Sequence, residues 1–250
     1  MELTNSNYYK NNDYMSYSEF KNFDECENKA MATIRGDYVR PTTNAFLMGG
    51  YVDAFFSGEM QEFIKSHYGE IYMKNGKPKA DFVKCDAIID TIRNDDYFMS
   101  YYKGQSQVIL TGRIANVAFK GKLDMLFDDK IVDMKLMKDT SDVWVDGIGK
   151  VPFWKAYGYD IQASIYQELV YQKTGKRLPY YLAVATKQDT PQKHIIRFSQ
   201  DTIDSAMNHV MEKAPRYDAV KGGILKPTEC GHCDWYYMNH KMSEADIEEA

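Results

Sequence analysis

Apolar and polar positions divide the chain into helical flanks and an extended middle. From Val117 to Phe127 the residues read as a strand, Asp128-Asp129-Lys130 as a polar turn, and Ile131 to Leu136 as a returning strand. This predicts a β-hairpin with strands near 114–127 and 130–136. A further strand precedes it at Ser106 to Arg113, and two follow, at Tyr180 to Thr186 and His194 to Phe198, with Lys187 to Pro191 turning between them. Helical spacing predicts helices at about 16–34, 44–57, 59–68 and 80–93 before the strands, about 153–174 after the hairpin, and about 200–220 near the end. Residues 1–14 form a polar arm rich in Asn and Tyr, 138–152 a polar loop holding Trp144, Gly147 and Gly149, and 243–250 an acidic, frayed tail. There are no repeats and no low-complexity linker. Strands in the middle with helices at both ends predict an α/β chain, a single domain over 1–250 with a central mixed β-sheet flanked by helices.

The hairpin carries charges where apolar residues would be expected. Side chains on a strand alternate faces, so Asp133 and Lys135 point the same way, and the hairpin can bring Asp124 onto that face. Two carboxylates and an ammonium among apolar strands are costly unless something uses the charge. Close carboxylates suit a hard cation such as Mg²⁺. The lysine can then orient a water or steady a phosphate. On this segment alone, an edge hairpin with a solvated charged face competes evenly.

Asp124, with the pair Asp133-x-Lys135, resembles the PD-(D/E)xK nuclease superfamily, and other stretches match in the family's order. Gln162 and Tyr166 are neighbours on one helix face and resemble the Q-x-x-x-Y element of the RecB-type and lambda-exonuclease-like branch. Ser16 to Cys26 resembles the opening helix of RecB-type nucleases, with Phe20 and Phe23 as its apolar stripe. Gly49 to Asp53 falls where relatives place G-x-x-x-H, so Asp53 stands in for the histidine. It is either a ligand to a hard cation or a structural aspartate buried in the helix. The matches span about Ser16 to Tyr166 and are nearest to the phage-type exonucleases of the RecE (exodeoxyribonuclease VIII) group.

The resemblance implies a PD-(D/E)xK core in which Asp124, Asp133 and the Met134 carbonyl hold Mg²⁺, with Mn²⁺ as a substitute, while Lys135 serves the hydrolysis. Gln162 and Tyr166 position the DNA strand. Gln107 lies where many relatives carry a glutamate ligand, and an amide binds metal more weakly. The expected substrate is the end of linear double-stranded DNA. The implied setting is phage-type recombination with a single-strand annealing protein, in the cytoplasm of a bacterial or phage-infected cell, by a ring of three or four subunits. Two rivals stand beside this reading. One is an endonuclease of the same superfamily. The other is a non-catalytic DNA-binding or assembly module, which Asp53 for histidine and Gln107 for glutamate would favour.

Composition narrows the picture. Hydrophobic residues make up 44% of the 250, enough for a sizeable core. No apolar run is long enough for a membrane span and the start does not read as a signal peptide, so no membrane partner is expected. The net charge of −5 argues against a broadly cationic DNA-coating protein. DNA binding would need a local basic stripe, for which Lys74, Lys77, Lys79 and Lys84 are candidates and Lys173, Lys176 and Arg177 an alternative. Twenty tyrosines supply rings that could stack on bases, although most must serve the core.

Four cysteines do not suggest disulfides in a cytosolic chain. Cys230-Gly231-His232-Cys233 is a C-x-x-C knuckle. Together with Cys26 it resembles part of the iron–sulfur ligand set of some RecB-type nucleases, but the fourth thiolate is missing. Three accounts remain open: a metal-free turn pinning the C-terminal segment to the first helix, which is favoured; zinc held by Cys26, Cys230, Cys233 and His240 or His232; or a cluster.

Overall fold

The computed structural model describes residues 3–244 and 247. The chain enters through an arm of turns between Thr4 and Asn11, then β1 (Met15–Ser16), α1 (Tyr17–Glu25) and α2 (Glu27–Arg35). The expected single helix at 16–34 is therefore two, because Cys26 is extended, with φ −169° and ψ 112°. Ser16 caps α1 by accepting from the Glu19 amide at 3.2 Å. Next come α3 (Asn44–Ser57), α4 (Met60–Ser66), α5 (Tyr68–Ile71), α6 (Ala80–Arg93), α7 (Asp96–Met99) and a short 3-10 turn (Ser100–Tyr102).

The strands follow: β2 (Gln105–Ile114), β3 (Val117–Leu126) and β4 (Ile131–Met137). The region expected as a loop at 138–152 contains a small hairpin, β5 (Val143–Val145) and β6 (Gly149–Val151), whose strands are too short to show a period. Its turn passes through Gly147 at φ 77°. The expected helix at 153–174 breaks into α8 (Phe153–Ala156) and α9 (Tyr159–Thr174), because Gly158 takes φ 74° between them. The chain ends with β7 (Tyr180–Thr186), β8 (Lys193–Arg197), α10 (Gln200–Lys221) and α11 (Asp234–Asn239), the last not foreseen from the sequence. The acidic stretch 243–250 lies largely outside the described residues. No helix among the described residues is long and apolar enough to cross a membrane.

The main sheet is mixed, in the order β1-β3-β4-β7-β8, with β2 also paired to β3. β4 and β7 run parallel over seven pairs, from Ile131↔Tyr180 to Met137↔Thr186. By contrast, β3 and β4 are joined only at Met125↔Val132 and Leu126↔Ile131. Beyond that point they part, and β1 pairs with β3 at Met15↔Phe119 and Ser16↔Lys120. The sheet is thus split, and Asp124 and Asp133 occupy the first positions past the last pair.

Helices cover both faces. One apolar cluster joins α1, α9 and α10 to Phe119, Leu123, Ile131, Tyr180, Leu182 and Val184. The other joins α3 and α6 to Met125, Val132, Ala183 and Ala185. The alternation in β4 and β7 divides these residues cleanly, as a sheet buried on both faces requires.

Close approach of α9 to β3 depends on Gly121, where a Cβ would lie 3.0 Å from both Leu169 Cδ1 and Tyr166 Cε1. Gly121→Ala is expected to destabilise the protein by about 1–3 kcal/mol through overpacking. A urea midpoint equal to that of the native protein would show that α9 can move away without cost.

Candidate active site

The split leaves the Met134 amide without a strand partner on β3. Asp124 provides one, its Oδ2 accepting from Met134 N at 2.9 Å. Asp133 is buried, 1% exposed, below the floor of the opening. Its Oδ1 accepts from Gln162 Nε2 on α9 at 2.7 Å, and its Oδ2 meets the Lys135 ammonium. The expectation that Asp133 and Lys135 share a face is realised, and that face looks toward α9. Tyr159 lies beneath the lysine, with Nζ 5.3 Å from the ring centroid.

Asp53 on α3 reaches the same opening from the other helical layer. Asp53, Asp124, Met134 and Lys135 line an open cleft of about 680 Å³, together with Tyr9, Glu59 and His67. A small recess beside it adds Tyr102 and Gln107 to Asp53 and Asp124. Gln107 stands opposite Asp124, between the pairs Ser106↔Met125 and Val108↔Leu123, with φ 55°. A left-handed backbone at a non-glycine residue costs about 1–2 kcal/mol and interrupts the ladder where the cleft begins.

The electrostatics are those of crowded acids. Burial first, then the neighbouring Asp124, pushes the Asp53 carboxyl up to about 6. Burial also pushes Asp133 up, against the pull of Lys135. Burial works against the charge of Lys135, but Asp133, Asp124 and Tyr159 outweigh it and hold the ammonium protonated. The Tyr102 hydroxyl is buried beside the acids without a hydrogen-bond partner, and burial followed by Asp124 and Asp53 holds it well above its ordinary range. The Gln162 Oε1 is likewise buried and unpartnered.

Gln162 and Tyr166, expected to touch DNA, are both buried, at 5% and 6% exposure. Gln162 reaches Asp133, and Tyr166 packs over Gly121. Neither presents a surface to a bound strand, so Gln162 acts on the site through Asp133. Tyr9, Glu59 and Lys122 went unnoticed in the sequence, and the aromatic run from Tyr97 to Tyr102 left open whether its rings meet bases or the core. Lys122 precedes Asp124 by two on β3, its Nζ lies 5.6 Å from the Tyr9 ring, and its charge acts on Asp53. Its i, i+2 spacing to Asp124 was the available signal. Tyr9 offered none, because the arm is placed by Lys120, whose buried Nζ donates to the carbonyls of Tyr8 and Asn11, each at 2.6 Å. Of the basic stretch, Lys84 Nζ pairs with Asp189 at 3.0 Å and Lys79 Nζ caps the Gly69 carbonyl at 3.0 Å.

The donor set is all oxygen: Asp53 and Asp124 in the cleft, the carbonyl of Met134 at its wall, and Asp133 beneath. The Asp124 charge raises the proton affinity of Asp53 and of Asp133, a crowding that a hard divalent cation relieves, so these residues fit one. They are not drawn together to ligation spacing. Among the described residues, only Cys26, Cys230 and Cys233 have three ligand atoms mutually within 4.8 Å.

A split mixed sheet with an acid on one strand and Asp-x-Lys on the next defines a nuclease of the PD-(D/E)xK class. The chain belongs to the family described as "PDDEXK-like domain of unknown function (DUF3799)", whose model matches residues 16–239. It is similar to the crystal structure of a candidate exonuclease from Eubacterium rectale, with 38% identity and a TM-score of 0.92 over 98% of this chain and 96% of that one. No curated protein matches it.

Proposed function

We propose that the cleft hydrolyses phosphodiester bonds of DNA with Mg²⁺, or Mn²⁺ in its place, acting on the ends of linear duplexes. The observation that carries this reading is the convergence of Asp124, Asp133 and Lys135 at the split of the sheet, with Asp53 facing them from α3. Asp53, Asp124 and the Met134 carbonyl would hold the metal, with Asp133 completing the set once its pairing with Lys135 loosens. A divalent metal held there would supply Lewis-acid activation of the scissile phosphate and of water. Lys135, kept charged by the acids, orients the attacking water and offsets charge that develops on the phosphate. Gln162 fixes the rotamer of Asp133. Tyr9, 77% exposed at the rim, would stack on a base, and Lys122 beside its ring would add a cation for the backbone.

A chain of net charge −5 holds DNA by such local contacts and not by bulk charge. The end-directed mode is supported by the relative from Eubacterium rectale, itself described as a candidate exonuclease. The test uses end-labelled linear duplex and closed circular duplex, each with Mg²⁺ and with a chelator. Shortening of the linear DNA alone, only with Mg²⁺, is the expected result. Cutting of the circle would assign an endonuclease, and no cutting of either would leave a non-catalytic module.

A further inference from the structure

Three sulfurs from opposite ends of the chain meet on a face of the molecule that shares no residue with the cleft. Cys26 is buried in the extended break between α1 and α2, while Cys230 and Cys233 are half-buried in the turn leading to α11. Their Sγ atoms all lie within 4.8 Å of one another. Among the described residues, no histidine, aspartate or glutamate atom joins them at that spacing. The sequence-based suggestion of His232 or His240 as fourth ligand is therefore corrected. His232 Nδ1 lies 2.7 Å from the Cys230 carbonyl, and the His240 ring stacks on Tyr236 at 4.6 Å.

Bonds that do not involve the sulfurs hold this arrangement. Residues next to each cysteine clasp one another. Glu27 accepts from Arg216 at 2.6 and 2.9 Å and from the Thr228 amide at 2.8 Å. The Asn28 amide donates to the Thr228 carbonyl at 3.1 Å, and the Asn28 side chain donates to Glu229 at 2.9 Å. Asp234 accepts from both Lys29 and Tyr38. Such surroundings fix ligand positions before a metal arrives.

Apolar packing does not account for the cluster. Cys85 shows what a packing cysteine looks like here, since it is wholly buried in the α3–α6 core. Cys26 belongs to neither apolar cluster, and its two partners are partly open to water. Zinc bound tetrahedrally by thiolates at about 2.3 Å sets its sulfurs about 3.8 Å apart, which this spacing accommodates. A cuboidal cluster needs four thiolates, and Cys85 is committed to the core.

We propose that Cys26, Cys230 and Cys233 bind one zinc ion, with water in the fourth position. Each thiol gives its proton to solvent as its sulfur coordinates the metal, and no oxidation occurs. The ion would clasp the C-terminal segment to α2.

The test begins with untagged full-length protein prepared with zinc under reducing conditions and then desalted. About one zinc per chain is expected by elemental analysis. Cys26→Ser and Cys233→Ser should lose it, while Asp124→Ala should keep it, which separates this ion from one in the cleft. In the native protein, zinc should slow alkylation of three of the four thiols, and Co²⁺ in its place should give a thiolate-to-metal absorption band. These last two readouts decide the matter if the serine variants fail to fold. Absence of zinc, retention of zinc by the serine variants, iron with acid-labile sulfide, or a mass two hydrogens short from a Cys230–Cys233 disulfide would each overturn the proposal.

Discussion

Asp133→Asn is expected to lower the Mg²⁺-dependent cleavage rate by about a hundredfold or more, the usual cost of losing one charged group of a catalytic constellation, while the melting transition stays near that of the native protein. The amide is isosteric and keeps an Oδ1 for Gln162 Nε2. It also removes a carboxylate that burial already disfavours. Lys135 loses its short contact but stays near Asp124. Lys135→Ala should be equally inactive and should behave differently in stability. It leaves Asp133 buried with Gln162 as its one polar partner, and breaking a buried pair typically costs about 3–5 kcal/mol.

That cost has a predictable pH dependence. The folded-state pKa of Asp133 is raised, so its protonated form is the one the fold tolerates. Stability is therefore greatest below the ordinary aspartate pKa and is lost as pH rises through the raised folded value. Urea midpoints should show Lys135→Ala nearly native at pH 5 and strongly destabilised at pH 8. Equal destabilisation at both would contradict the buried-pair account, and normal cleavage by either variant would exclude this active site.

Asp53→Asn is expected to move stability and activity in opposite directions. The Asp53 carboxyl is raised to about 6 by burial and by Asp124. At pH 8 without divalent metal, its ionised form therefore costs the fold about 2 kcal/mol, after discounting for partial exposure. Asparagine removes that cost, and the gain should vanish below about pH 4, where the aspartate is protonated whether folded or not. With Mg²⁺ present the sign reverses, because the variant lacks a ligand and the native protein gains binding energy. Mg²⁺ binding to the native protein should release protons near pH 6 and weaken by about tenfold per pH unit below it. Calorimetry in two buffers of different ionisation enthalpy measures this release. Equal binding at pH 5 and pH 8 would show that Asp53 is no ligand.

The sequence alone determined the hairpin of β3 and β4, because apolar residues bounded by a polar turn leave little choice of structure. It determined α3, α6, β7, β8 and α10 as well, each a distinct stretch bounded by capping or turn residues. It also offered Asp124, Asp133 and Lys135 as candidates, since charges set into apolar strands stand out without any structure, and Asp53 through its place in a motif of the resembled family. Where local signals were weak the expectations strayed. Cys26 and Gly158 each interrupt a helix that periodicity carried straight through, because a period averages over the single residue that breaks it. The β5–β6 hairpin was too short to have a period at all.

The site itself depends on contacts distant in the chain. Nothing in β3 or β4 alone says that they part after two pairs, leaving the Met134 amide to Asp124. That parting depends on β1 taking its place beside β3. The burial of Gln162 against Asp133 depends on how closely α9 settles on Gly121, and the position of Tyr9 on a lysine more than a hundred residues away. The meeting of Cys26 with Cys230 and Cys233 likewise depends on the clasp between α2 and the C-terminal segment. A local pattern can specify which face of an element a residue occupies. Which residues from other elements share that face is set by packing of the whole chain, because the energies that decide it come from pairs far apart in sequence.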